Sequence, residues 1–548
     1  MIEVTKQNFK EIYPILEDVL KNATFISFDL EFSGIETDNI RNSLFDSIEE
    51  RYDSIRNTIQ PYIIVQCGIT AFEYKFSYDA VVFNFFLLPK SIPSKNRRFL
   101  WNVSTLEFLS EYEFDFNKFV HNGISYIDEE DEEILRQQVQ DDTLLYNIEQ
   151  HISFKEKDEL KYYINQISKW LSTTTDETSS FKINTSTPSF QYLMHKKLRK
   201  LFPCVWTCSG DKSITVIKVQ PDIKESWEKE EGPMLENTLI ESYISFSKVF
   251  KLLVTLKKPM VGHNALLDLM FIHQQFYKPL PRKYIDFKNN IHKLFPIIYD
   301  TKFISFNLWE VLEPKEKWKQ NSLGCIYTHF VSLSNKNNNV HNYSPYIGIV
   351  HKTIPDQSEA ITKSMKCHTA GWDAYFTGYI FIKMAFTYRS ISSSNQTIHA
   401  YRDIDPYDII VLISYIKRFE NCINISRSNI SYLKLDGPDP VPTRANWLYV
   451  KSLTSKPITE TEICKRLSKF GSVDARKITS KCMLVAVRSQ ESAQKILYFS
   501  KEDLEELYIV PYNAICHSPS IRLFFWSNVV ISTAILAWML HRRFQKIF

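Results

Sequence analysis

The sequence predicts a mixed α/β protein that carries a smaller α+β unit and a C-terminal apolar helix. Three observations predict the α/β part. A β-branched and aromatic run from Thr24 to Leu30 follows an amphipathic helical pattern over 8–20. Two further strand-like runs, 62–69 and 81–88, meet at a turn near Ser77–Asp79. Far along the chain, Met260–Asp268 reads as a short apolar strand, a Gly-containing turn and a helix.

Composition bounds the class. A chain of 548 residues is long enough for two or more domains with their own cores, and 44% hydrophobic content argues for a globular rather than a disordered chain. The formal net charge of +3 is too small to mark a general polyanion binder, so any basic surface is local. Nine cysteines show no repeated CxxC spacing, and no second pair joins Cys204 and Cys208 to complete a zinc site. Reduced thiols of a cytosol-facing protein are expected, and the charged opening residues carry no signal-peptide pattern.

The elements follow in order. Phe9, Ile12, Ile15, Leu16, Val19 and Leu20 share one helical side. A second helix is expected over 46–59, ended by Pro61. The acidic run Asp128–Glu133 reads as the solvated start of a helix. The Thr/Ser-rich stretch Ser172–Ser180 and the cluster His195, Lys196, Lys197, Arg199 and Lys200 suggest a small module with a positive helix. That helix is either a solvated face or an RNA contact through Lys196, Lys197 and Arg199. The charged stretch Lys224–Glu231 reads as a linker back to the main domain.

Four acids and one histidine carry the chemistry. Asp29 and Glu31 interrupt the first strand two residues apart, so both carboxylates leave one face. Two like charges at the end of a buried strand are costly unless a cation holds them; a frayed, solvated strand end is the plain alternative. Asp268 falls in the first turn of the helix after Gly262-His263-Asn264. Asp300 ends a strand-like run and is expected to cap or pair rather than bind metal. His368 and Asp373, five apart, lie about 140° apart on a helix, so they converge only with His368 on the loop before it.

This order of acids and histidine resembles the DEDD 3′→5′ exonucleases of the histidine-using subgroup. The surrounding words, FDLEFSGI, FDFNKFVHNGISYI, VGHNALLDLMFIHQQFYKPLP, HTAGWDAYFTG and LDGPDP, resemble the poly(A)-specific ribonuclease family up to about Pro440. The resemblance implies a ribonuclease H-like nuclease over 1–155 and 223–440, interrupted over 156–222 by an R-x-x-x-H-like nucleic-acid module. The nearest match to that motif, Gln191-x-x-x-His195, lacks the arginine. It also implies two Mg²⁺ ions held by Asp29, Glu31, Asp268 and Asp373, and His368 as general base on the attacking water. Phe32 and Ile35 match residues that lie against the terminal bases.

Over 445–515 a strand–helix–strand pattern with Trp447–Leu453 resembles an RNA-recognition motif. Met483 and Val485 are expected at its stacking-aromatic positions, leaving Tyr449 and a degenerate, structural module. Leu523–Leu540 then gives eighteen uncharged residues flanked by Arg522 and by His541, Arg542, Arg543 and Lys546. It reads as a transmembrane tail anchor, with a buried core helix as the alternative.

The combination resembles the membrane-anchored branch of the family. That branch implies trimming of the 3′ ends of PIWI-bound piRNA precursors, a Tudor–KH scaffold partner and the mitochondrial outer membrane, with the endoplasmic reticulum as alternative. A membrane-tethered mRNA deadenylase and an inactive RNA-binding scaffold are the competing readings. Oligomeric state is not fixed by the sequence, and a homodimer stays open.

Overall fold

In the computed structural model, residues 1–35, 42–173, 178–210, 213–336, 345–350, 367–394, 407–442, 447–454, 456–499 and 506–544 are described. Lys546 and part of the Thr/Ser-rich stretch lie outside the described residues. The chain forms two compact units. Met1–Thr37, Ile55–Asn424 and Lys434–Gly437 make the first; Asp38–Ser54, Ile425–Leu433 and Pro438–Phe548 make the second.

The first unit opens with β1 (Ile2–Val4), α1 (Phe9–Asn22) and β2 (Phe25–Phe32). The next helix, α2, runs Ile48–Ile59, with Ile48–Ser54 counted in the second unit, and stops short of Pro61, as expected. The hairpin β3 (Ile64–Tyr74) and β4 (Tyr78–Pro89) reaches further than the sequence pattern showed, because its turn is only the Lys75–Ser77 segment. Then come α3 (Val103–Glu111), β5 (Ile124–Tyr126), α4 (Glu129–Gln140), α5 (Phe154–Thr173) and β6 (Ser180–Asn184). They are followed by α6 (Pro188–Leu201), β7 (Val205–Gly210), β8 (Ser213–Lys218) and α7 (Pro221–Leu256). Past these lie β9 (Met260–Gly262), α8 (Leu266–Ile272), β10 (Ile298–Asp300), α9 (Thr301–Val311), β11 (Ile347–Ile349) and α10 (Ala370–Ser394).

The main sheet runs β1-β4-β3-β2-β9-β10, with β5 and β11 also on β4. The outer edge of β4 is thus covered in turn by β11 at Tyr78–Ala80, β1 at Phe83–Phe85 and β5 at Leu87–Pro89, all parallel to it. Strands β2, β3 and β4 are antiparallel, while β9 joins β2 in parallel. Helix α10 lies against β2, β3, β4 and β9. Its seat is aromatic: Phe25 stacks on Phe72 at 4.7 Å, and Phe381 meets Phe25 edge-on at 5.2 Å. Such pairs add about 0.5–1.5 kcal/mol each beyond their burial, which fixes the helix firmly on the sheet.

Three sequence expectations change here. Asp131 and Glu132 are buried, not solvated, because Lys95, Lys251 and Arg136 neutralise them at 2.6, 2.6 and 2.9 Å. The run does start the helix: Asp128 is its N-cap, accepting from Asp131 N at 2.8 Å, and Glu129–Glu132 fill its first turn. Lys224–Glu231 is not a linker but part of the 36-residue helix α7, which Pro221 initiates at its first turn. The three-stranded antiparallel sheet β6-β8-β7 is packed by α6, whose basic cluster turns partly inward: His195 and Arg199 are buried.

The second unit holds β12 (Trp447–Ser452), α11 (Glu460–Leu467), β13 (Val473–Thr479), β14 (Cys482–Val487), α12 (Gln490–Phe499) and β15 (Leu507–Pro511). The strands form one antiparallel sheet in the order β13-β14-β12-β15. Met483 and Val485 are fully buried on its helix side, so they are not at outward stacking positions. Strand alternation leaves Cys482, Leu484 and Ala486 on the outer face, opposite Lys451, Tyr449 and Trp447. Leu44 and Phe45 cover that face, packing with Trp447, Leu484 and Ala486. Helix α13 (Pro519–Phe544) closes the unit; among the described residues its segment Ser520–Arg542, 23 residues long, is the one helix long and apolar enough to cross a membrane.

Candidate active site

Strand β2 delivers the first two acids to one face, as its alternation requires. Asp29 pairs across to Gly68 of β3, and Glu31 to Gln66. Asp268 arrives in the first turn of α8, beside the end of β9. The turn before it is held by Asp300. That buried carboxylate accepts four backbone N–H groups: Asn264 at 2.8 Å, Ala265 at 3.1 Å, Lys302 at 2.9 Å and Asn424 at 3.0 Å. Asn264 itself sits at φ 61°, a left-handed conformation Asn tolerates. Asp300 is therefore the N-cap of α9 and the anchor of the Asp268 turn.

The remaining pair comes from the other end of the chain. His368 occupies the loop at φ 63°, and its backbone N–H donates to Asp373 Oδ2 at 2.8 Å. Asp373 lies in the first turn of α10, where Thr369 O accepts from Asp373 N at 3.0 Å. Ligand atoms of Glu31, His368 and Asp373 all lie within 4.8 Å of one another. The imidazole is flanked by Tyr112 at 4.1 Å and by Phe108 at 5.0 Å, so α3 and the residue after it support one side of the site.

The electrostatics follow from this crowding. Burial pushes Asp29 well above the usual carboxylate range, and Asp373, Asp268 and Glu31 push it further. Glu31 is raised for the same reasons, burial first and then Asp373 and Asp268. Burial lifts Asp268 to about 7 and Asp300 adds to this, against hydrogen bonds from its own amide and that of Leu30. Asp373 is lifted to about 7 by burial, against the His368 N–H. Partial burial holds the His368 imidazole below its ordinary value. Four such acids cannot all ionise cheaply by themselves, and their hard oxygen donors are the set that suits small divalent cations. Asp29, Glu31, Asp268 and Asp373 fit such ions.

This arrangement has relatives. The family model of CAF1 family ribonucleases matches residues 4–381. The chain belongs to the CAF1 family of ribonucleases. It is 32% identical over 551 aligned residues to the pre-piRNA 3′-exonuclease trimmer of Bombyx mori, with all of both chains covered. It is 27% identical to the poly(A)-specific ribonuclease PNLDC1 of Mus musculus, over 99% of each chain. It is 28% identical to the poly(A)-specific ribonuclease PARN of Xenopus laevis, over 91% of this chain and 79% of that one. CAF1 membership makes the acid–histidine cluster the candidate centre for RNA cleavage.

The other residues expected to touch RNA lie as follows. Ile35 is exposed, whereas Phe32 is only 9% exposed and stacks on Phe271 at 4.1 Å. Lys196 pairs with Glu236 at 3.0 Å and Lys197 with Glu149 at 2.8 Å. The Arg199 side chain is 5% exposed; its guanidinium lies 3.4 Å above the Trp206 ring and faces Glu228 at 3.5 Å. Three cations that read as a basic cluster are thus each matched by an acid distant in sequence. Sequence reasoning missed Phe108 and Tyr112 beside the histidine, and Gln66 and Asn84 at the first amides of α10. The last two carry a legible signal, since each is a polar interruption of an apolar strand run.

Proposed function

We propose that this chain is a divalent-cation-dependent 3′→5′ exoribonuclease that trims the 3′ ends of piRNA precursors. The observation that carries this reading is end-to-end similarity to the Bombyx mori trimmer, with Asp29, Glu31, Asp268, Asp373 and His368 brought to one site. Divalent ions, Mg²⁺ by preference, would supply charge neutralisation at the scissile phosphate and a Lewis-acid field for the attacking water. The four carboxylates would hold them. His368 accepts the proton of the attacking water on an imidazole nitrogen; the water oxygen bonds to phosphorus as the bond to the 3′ oxygen breaks. The exposed Ile35 is offered to the terminal base.

The reading extends to PIWI proteins presenting the RNA, to a Tudor–KH scaffold, and to anchoring in the mitochondrial outer membrane. Helix α13 supports the membrane part alone: Ser520–Arg542 spans about 35 Å at 1.5 Å per residue, enough for a ~30 Å hydrocarbon core. Similarity to the poly(A)-specific ribonucleases supports a second reading, a membrane-tethered deadenylase. Digestion of adenosine-tailed and mixed-sequence RNA side by side, with Mg²⁺ and an Asp29→Ala control, separates the two. A strong preference for the adenosine tail would overturn the trimming assignment.

A further inference from the structure

We propose that Gln66 and Asn84 are positioning residues of this active site, holding the junction that carries His368 and Asp373 against the strands that carry Asp29 and Glu31. The first amides of a helix have no partner within it. In α10 those partners come from the sheet: Ala370 N donates to Gln66 Oε1 at 2.9 Å, and Gly371 N donates to Asn84 Oδ1 at 3.0 Å. Both acceptors sit on the rows of the strand acids. Glu31 pairs with Gln66, and Asp29 pairs with Gly68, which pairs with Asn84. The same rows therefore present two acids directly and fix the other half of the cluster through the helix.

The approach is as close as backbone allows. A Cβ at Gly68 would stand 1.8 Å from Ala370 O, and one at Gly371 would stand 2.9 Å from the Asn84 Cβ. Among the described residues, the buried Asn84 Nδ2 has no hydrogen-bond partner, an arrangement that costs stability and yields nothing for packing. The Asn84 amide oxygen is there as the acceptor for Gly371 N.

The test uses the full chain. Gln66→Met and Asn84→Leu remove the acceptors at similar volume, while Asn84→Asp keeps one. The readouts are kcat and KM on a 3′-extended RNA, and Mn²⁺ affinity by electron paramagnetic resonance without RNA. Losing either acceptor should lower kcat and Mn²⁺ affinity by about 10–100-fold with KM unchanged, the usual effect of removing support behind a metal ligand. Asn84→Asp should recover most of that loss. Wild-type kcat and Mn²⁺ affinity in both acceptor-free variants, or an Asn84→Asp as impaired as Asn84→Leu, would overturn the proposal. Should a variant fail to fold, hydrogen exchange of the unaltered chain still decides. The peptide containing Ala370–Asp373 should be as protected as β3, and exchange at the rate of an exposed loop would refute the cap.

Discussion

Asp300 offers the sharpest separation between supporting and reacting acids, because the two roles predict opposite signs. Its Oδ1 accepts from Asn264 N and Lys302 N, and its Oδ2 from Ala265 N and Asn424 N. Asp300→Asn keeps the shape but converts one oxygen into a donor. One pair of amides is retained and the other pair is orphaned in a buried place. At about 1–3 kcal/mol per orphaned group, the loss is about 2–6 kcal/mol. The turn at Asn264–Ala265 loosens with it, so Asp268 is misplaced and RNA cleavage falls as well. Asp29→Asn should do the reverse in metal-free protein, raising the melting temperature by relieving repulsion among the four acids. Differential scanning fluorimetry in EDTA reads both signs. A metal-free Asp300→Asn as stable as the parent, or more stable, would mean that Asp300 repels its neighbours more than it anchors the turn.

Three further outcomes follow from the site and the helix beside it. Asp268 and Asp373 are raised to about 7 in the metal-free fold, so each binds its proton more tightly folded than unfolded. Their contribution is present at low pH and lost as pH rises from about 4 through 7, so melting temperature in EDTA should fall over that window while the gain from added Mg²⁺ grows; an EDTA melting temperature that stays flat would refute this. His368→Ala should slow cleavage about 10²–10⁴-fold without abolishing it, and the pH dependence on the acidic limb should vanish in single-turnover kinetics. Lys196→Ala with Lys197→Ala should leave the salt dependence of RNA binding within one contact's slope, about 0.7, because Glu236 and Glu149 already hold both cations. A larger change would show that the lysines exchange their acids for phosphates.

What was legible in the sequence is what depends on local geometry. Period two along β2 set Asp29 and Glu31 on one face, and the five-residue spacing forced His368 onto the loop before α10. Asp300, at the end of a strand-like run, read as a residue that caps or pairs, and its four amides bear that out. What was not legible depends on partners far away in the chain. The exposed look of Asp131 and Glu132 hid Lys95 and Lys251. The α6 cations hid Glu149, Glu228 and Glu236. No local pattern pairs residues so separated, and a charge run reads the same whether water or a buried counter-ion neutralises it. Gln66 and Asn84 fall between: their polarity in apolar strands was visible, their target at residues 370–371 was not.

The four-stranded sheet of the second unit shows how a single register decides function. Had Met483 and Val485 faced outward, the sheet would have kept an open, apolar surface with Tyr449 at its centre. They face the helices instead, and the outer face is already engaged. Phe45 meets Trp447 edge-on at 5.3 Å, Arg476 lies 4.8 Å from the Phe45 ring, and Leu44 N donates to Asp474 at 2.7 Å. Tyr449, the one aromatic at a stacking position, is itself stacked on His517 at 4.3 Å with planes 8° apart. A base would have to displace one of these contacts, giving up one stacking interaction of about 1–3 kcal/mol to form another. A ring already stacked gains little from RNA, so this face favours its own polypeptide. In the first unit, by contrast, the His368 and Ile35 side chains are exposed.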